Sequence, residues 1–560
     1  MRQQSMSLFR VAAVTVTIVS VSVSAFGQSG QSMAKASADA AAAQDAAVRH
    51  LTVDEAVRLA LEQNLGVQIQ RIDPQVQDEG VAQARAAWLP NVSSSFTKNS
   101  NNSPSTSSLS GTASSVTSGL FSGGVGVNEL LPWGGNYNAT WGSSRSTTTD
   151  ISSFFNPILR SSVSANFTQP LLRNFAIDAA RQNVAVSKKI RDISDVNLRA
   201  TMVQTARSVK NAYWDLVYQI DNLKAAQESL GLAQQSLKDN TRRVEIGTMA
   251  PIDIVDAKVE VARNEEAVIL AQEAIDQAQD TLRMLIFDPK TPGFWAMQLD
   301  PTDTVPFQAQ QIDTDAAVRN ALDKRADLRA ARLTIQESDI NIRYFRNQIL
   351  PDVNVQAGYQ AAGLGGVQFQ PANVLDPTAL STDRLVVAQR GFGSALNQVF
   401  TGAFPTWSVG LQVNYPLGLS TPKANLERAK LQYQQSQTQL RNVEMQVVSQ
   451  VRTVARSVLA NQKRVESARA SRELAEQKLE AEEKKFAAGI RETFFVFQAQ
   501  RDLSTARTAE VRAIADYNKS LVDFEAVQEV AVGGGSGGVT TAGAGSTSTG
   551  GGSSAGPGGN

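Results

Sequence analysis

The sequence predicts a mixed α/β membrane protein, internally duplicated, in which long coiled-coil helices join a transmembrane β-barrel. Three observations predict it. The two halves repeat the same landmarks in the same order, short segments alternate apolar with polar residues, and two helical stretches are longer than any compact domain needs.

The chain opens with Arg2 and Arg10 ahead of and at the start of an apolar run from Val11 to Ala25. Ala25-Phe26-Gly27 then places small residues at both positions that a signal peptidase reads. The run is shorter than the roughly 20 apolar residues of a spanning helix and is interrupted by Ser and Thr, so residues 1–27 are expected to be an export signal. Residues 28–50 and the Gly/Ser-rich tail 531–560 are small and polar and are expected to be flexible.

Composition narrows the chemistry. The 53 basic and 53 acidic residues cancel and are dispersed, which leaves no footprint for a nucleic-acid backbone. There is no cysteine, hence no disulfide and no thiolate site, and the single histidine, His50, reads as a solvated linker residue. Neither a metal nor another cofactor is expected.

The first repeat spans 51–311 and the second 312–530. Leu51-Thr-Val-Asp-Glu-Ala-Val-Arg-Leu-Ala-Leu61 recurs as Ile312-Asp-Thr-Asp-Ala-Ala-Val-Arg-Asn-Ala-Leu322, and Leu89-Pro90-Asn91 falls on Leu350-Pro351-Asp352 without a gap. Gln169-Pro170-Leu171 answers Tyr415-Pro416-Leu417, and Arg243-Val244-Glu245-Ile246-Gly247 answers Lys485-Phe486-Ala487-Ala488-Gly489. Each copy reads as helix, strand, long loop, strand, very long helix, glycine break and helix.

Four strands are expected. Val353, Val355, Ala357 and Tyr359 alternate with Asp352, Asn354, Gln356 and Gln360, and Trp407, Val409, Leu411, Val413 and Tyr415 with Thr406, Ser408, Gln412 and Asn414. Weaker alternation surrounds Val92 and Phe96, and Val163, Ala165 and Phe167. A soluble sheet with one buried face gives the same pattern, and the neighbouring helices favour the membrane. Residues 100–160 and 362–404 read as long outer loops; within the first, 124–141 looks like an additional hairpin around Pro132-Trp133-Gly134-Gly135, with its place in the wall left open.

The long helices are expected over about 176–240 and 423–485, each roughly 95 Å at 1.5 Å per residue. Met202, Ala206, Val209, Tyr213, Leu216, Ile220 and Leu223 form one heptad seam, and Val447, Val451, Val454 and Val458 another. Polar side chains crowd the remaining faces, as thin helical walls in water require.

Strands, paired long helices, duplication and export signal together resemble the outer-membrane efflux protein family, the TolC-like channels, over about residues 51–530. The resemblance implies a homotrimer whose protomers give four strands each, twelve in all, above a coiled-coil barrel that crosses the periplasm. It implies no enzyme chemistry but a passive exit duct seated in outer-membrane lipid, which docks a periplasmic membrane-fusion adaptor and an inner-membrane transporter. Drugs, metals or secreted protein are the cargo classes.

The resemblance also assigns residues. Gly247-Thr248 and Gly489-Ile490 become the periplasmic tips that adaptors engage. Family members often lock the tunnel with an acid six residues after the first tip glycine and a base two after the second, here Asp253 and Arg491. The acidic entrance ring expected at plus six and plus nine of the second copy is replaced by Phe495 and Gln498. With Asp256 at plus nine of the first copy and the run Phe494-Phe-Val-Phe497, this implies a partly apolar constriction. The competing reading, an exported coiled-coil structural or adhesive protein, explains the heptads but not the repeated strand pairs. An exported carboxylate hydrolase lacks any pair of acids framed as a site.

Overall fold

The computed structural model describes residues 48–105, 114–150, 152–291, 293–303, 307–370, 385–415, 418 and 420–532. The expected export signal and the tail from 533 lie outside the described residues. The end of the segment expected to be flexible does not stay free: β1 (Val48–Leu51) pairs in parallel with a later strand, and His50 Nδ1 sits 2.8 Å from Asp300 Oδ2.

After β1 come α1 (Val53–Gln63), α2 (Leu65–Arg85) and four strands, β2 (Asn91–Pro104), β3 (Ser115–Leu130), β4 (Asn136–Thr148) and β5 (Phe155–Pro170). The chain leaves the sheet at Pro170 and enters α3 (Ala179–Glu245), where Asp178 caps the first turn by accepting from Arg181 N–H at 2.7 Å. Then follow α4 (Ile252–Ile286), β6 (Gln298–Pro301, the partner of β1), α5 (Thr314–Lys324), α6 (Ala326–Gln348), β7 (Asp352–Phe369), β8 (Val386–Arg390), α7 (Phe392–Phe400), β9 (Pro405–Asn414), α8 (Thr421–Ala487) and α9 (Thr493–Ala526).

The expected four strands are corrected to six long ones. The large sheet runs β2-β3-β4-β5-β7, entirely antiparallel, and the far edge of β7 carries β9 along Asp352–Ala361 and the short β8 along Gly366–Phe369. The hairpin around Pro132 is part of the same sheet, its strands β3 and β4 standing between β2 and β5. The second outer loop is also partly ordered, as β8 and α7.

Register explains why the inserted pair belongs. One cross-strand row reads Val92, Val127, Ala139, Ala165, Tyr359 and Trp407, and the adjacent row Asn91, Asn128, Asn138, Asn166, Gly358 and Ser408. Because side chains alternate across a strand, six strands in this register build one apolar and one polar face. α7 lies on the apolar face, with Ala395 so close to Gly363 that a Cβ there would meet its carbonyl oxygen at 1.9 Å.

Below the sheet the chain is helical. Both α3 and α8 have 67 residues, about 100 Å each. α3 returns through α4, α8 through α9, and α3 packs on α9, so the layer order is α4-α3-α9-α8. The predicted seams are buried at Val209, Tyr213 and Leu216, which join Leu51, Leu59, Leu282 and Ile286 in one cluster, and at Val447 and Val451, which join Ala321, Leu328 and Val527 in another, while Met202, Ala206, Ile220, Leu223 and Val454 are half-buried. Among the described residues no helix is long and apolar enough to cross a membrane.

Candidate gate at the helical tips

Both hairpins turn on a glycine in the left-handed region, Gly247 at φ 75° and Gly489 at φ 72°, where a Cβ is disfavoured. The closures match. Gly247 N–H donates to Val244 O and Thr248 N–H to Arg243 O, both at 2.9 Å; Gly489 N–H donates to Phe486 O at 2.9 Å and Ile490 N–H to Lys485 O at 3.0 Å. Crossed bonds of this kind satisfy carbonyls that a helix end leaves open. Thr248 Oγ1 adds a bond to Arg243 O at 3.0 Å. The ends present apolar side chains to solvent, Ile246 at 68% and Ile490 at 75% exposure.

Among the described residues the two residues of the expected lock form no ion pair with each other within one chain. Asp253 lies in the first turn of α4 and has no ion-pair partner among the described residues. Arg491 is engaged on its own hairpin: its Nε is 3.6 Å from Glu482 Oε2, and its guanidinium lies 4.2 Å from the Phe495 ring centroid. Glu482 also receives Lys485 Nζ at 2.7 Å. The Lys485 hydrogen bond, with the charges of Lys485 and Arg491, holds the Glu482 carboxyl below its ordinary range.

The aromatic run splits by helical phase. Val496 and Phe497 are buried, Val496 in a small core with Leu479, Ala499 and Leu503, while Phe494 and Phe495 stay outside and meet edge to face at 5.6 Å. Gln498 donates to Asp502 at 2.8 Å and accepts from Arg501 at 2.9 Å, so it is fixed by charged neighbours. Asp256 is exposed. Three tip residues escaped sequence reasoning: Glu482, Arg243 and Phe486, whose ring centroid lies 4.4 Å from the Arg243 guanidinium. Position alone could have flagged Glu482, seven residues before the tip glycine.

Above the tips, ion pairs tie the helices into a layer. Arg507 of α9 reaches Glu228 of α3 at 2.9 Å and Glu476 of α8 at 3.3 Å, and Arg501 reaches Glu260 of α4 at 2.9 Å. Among the described residues, no group of three or more acids or histidines is placed to hold a metal.

The family model described as outer membrane efflux protein matches residues 134–286 and 317–527. Outer membrane protein TolC of Vibrio cholerae is 24% identical over 203 residues, 35% of this chain and 43% of the relative, so less than half of that relative is spanned. Among solved structures, VceC of Vibrio cholerae matches with a TM-score of 0.57 at 15% identity, over 85% of this chain and 96% of that one. The CmeC outer membrane channel of Campylobacter jejuni matches at 0.56 and 14%, over 85% of each. These structures share the fold, and the family match covers the sheet from β4 onward and both helical hairpins. The chain belongs to the outer membrane efflux protein family.

Proposed function

We propose that the chain is one protomer of a homotrimeric exit duct that conducts cargo passively from the periplasm to the exterior. The observation that carries this reading is the junction of a two-faced sheet with helical hairpins about 100 Å long. The apolar face meets lipid, the Asn/Ser/Thr/Gln face lines water, and the helices continue the wall through the periplasm. The equal length of α3 and α8 supports the internal duplication.

Oligomerisation is supported at the two ends of the helical layer. α4 exposes Val255, Ile269 and Leu270, and α8 exposes Leu431, Met445 and Leu474, each more than half exposed. Apolar rows on the outermost helices are the surfaces a neighbouring copy would cover.

At the far end, Gly247-Thr248 and Gly489-Ile490 offer blunt apolar tips to a periplasmic adaptor, which recruits an inner-membrane transporter. Asp253 and Arg491 act across the boundary between protomers as a lock, and Asp256, Phe495 and Gln498 line the constriction. Drugs, metals and secreted protein remain the candidate cargo.

Native mass and heat-modifiability of the purified protein in detergent, with planar-bilayer recording on the same sample, test the reading. A trimer forming discrete pores is expected. A detergent-independent soluble rod without conductance overturns it in favour of a coiled-coil adhesin.

A further inference from the structure

We infer that the membrane wall closes by pairing β2 of one copy with β9 of the next, and that the three copies proposed above form a barrel of eighteen strands rather than twelve. The inference rests on the duct reading for the number of copies. The strands and their edges come from the chain itself.

The sheet is open. β2 pairs only with β3, and β9 only with β7, and every residue of both edge strands is exposed. An unpaired strand edge within lipid costs several kcal/mol for each unsatisfied backbone group, so these edges cannot face hydrocarbon. β8 does not obstruct closure, because it occupies the far end of β7 and leaves the outer edge of β9 free.

The edges complement each other in direction and in face. Along β2-β3-β4-β5-β7-β9 each step is antiparallel, so β2 and β9 run in opposite senses. An even number of strands per copy lets the seam be antiparallel too, and the wall then has no parallel joint. Both edges carry their apolar residues on the same face, Val92 and Phe96 on β2, and Trp407, Val409, Leu411 and Val413 on β9. With the periplasmic ends Asn91 and Asn414 aligned, Ser93 stands opposite Gln412 and Thr97 opposite Ser408, all on the polar face.

The girth agrees with the helices below. Six strands spaced about 4.8 Å and tilted about 40° take up roughly 37 Å of circumference. Four helices spaced about 8–10 Å take up roughly 32–40 Å, whereas four strands at the same tilt would cover only about 25 Å. The six-strand wall sits on its helices without a taper, with a diameter of about 35 Å in the trimer.

The chain has no cysteine, so engineered pairs report the seam alone. Double variants combining S93C, S95C or T97C with S408C or Q412C are oxidised in membranes, and the same protein is imaged in lipid nanodiscs. Closure by this seam gives disulfide-linked dimers and trimers for at least one of these pairs and none for the opposite-face pair S94C/S408C, with eighteen strands in the membrane ring. A trimer whose ring holds twelve strands, with the β3–β4 hairpin outside it, overturns the inference and leaves the duct intact. A particle with no membrane ring overturns the duct reading itself. A ring of eighteen strands in which only opposite-face pairs cross-link overturns the proposed seam.

Discussion

Arg243, in the last turn of α3, lays its guanidinium 4.4 Å from the ring centroid of Phe486, in the last turn of α8, and so joins the two helical tips of one chain. A partly exposed cation–π contact contributes about 0.5–1 kcal/mol, and the half-buried Phe486 ring also packs against the small core of Leu479, Val496, Ala499 and Leu503. F486A is therefore expected to speed hydrogen exchange of the Thr248 and Ile490 amides at least two- to fivefold, and R243M, which removes the cation and leaves the ring in place, by about that factor alone. Equal exchange in R243M and the parent would mean that Phe486 acts through packing and not through the Arg243 contact.

The tip glycines predict a purely conformational cost. A Cβ added at Gly247 or Gly489 meets nothing within 4 Å, so alanine there is opposed only by positive φ. A left-handed alanine costs about 1–2 kcal/mol, which should make the G489A tip roughly 5–30 times easier to open and cleave by a protease. G489N should fall between, because Asn tolerates this conformation better. Equal cleavage of all three proteins would remove the argument.

For the lock, D253A and R491A are each expected to raise single-channel conductance or open probability. Arg491 is also held by Glu482 and Phe495 within its own chain. E482Q should therefore weaken the positioning of Arg491 and shift gating in the same direction, by less than R491A. Unchanged conductance in D253A and R491A would end the lock hypothesis.

Acid should loosen the tips. Lys485 holds Glu482 down, and Lys478 with Gln498 does the same for Asp502; burial pushes Glu476 up, but Arg472 and Arg507 outweigh it. A carboxylate whose folded value lies below its unfolded one contributes stability above the unfolded value and loses it as pH falls through the folded value. For the glutamates the loss begins below their ordinary value of 4.5. Hydrogen exchange at Ile490 followed from pH 7 to pH 3, corrected for intrinsic rates, should show tip opening rise below about that point. K485M should blunt the rise.

Four strands were legible because their apolar-face positions carry Val, Leu, Phe, Tyr or Trp. β3 and β4 were not counted, because glycine and serine occupy the apolar register at Gly119, Gly123 and Ser143, and the period-two signal fades where a neighbour's ring fills the gap. Phe96 lies over Gly123 in this way, and a Cβ there would meet the ring at 2.7 Å. α7 was lost inside the loop 362–404, since nine residues are too few to establish a helical period. The tip turns were readable because only glycine suits their backbone. Phe486 was not, because one ring on a long coiled-coil helix looks like any other until Arg243 of the neighbouring hairpin is in place.

Arg325 provides the sharpest test of what joins the second half. It is 1% exposed at the joint between α5 and α6. Its Nε and Nη2 reach the two Asp327 carboxylate oxygens at 3.1 and 2.6 Å, and its Nη1 donates to Gln450 of α8 at 2.9 Å and to Val527 O, just past α9, at 3.4 Å. In the first half the corresponding joint is Asn64, between α1 and α2, which donates to Leu285 O at 2.9 Å. The same task is thus done by a short neutral side chain in one copy and a buried cation in the other. Removing one partner of a fully buried ion pair costs about 3–5 kcal/mol; Asp327 keeps 30% of its side chain in water, so R325A should cost less than that range while still ranking among the more destabilising single substitutions in the helical region. R325K should recover little, because a lysine cannot span Asp327, Gln450 and Val527 O at once. R325M should cost less than R325A, since it refills the volume without a charge. Thermal unfolding of the purified protein reads all three, and an R325A midpoint equal to the parent's would place the strength of this joint in the surrounding Leu328, Val447 and Val527 packing instead.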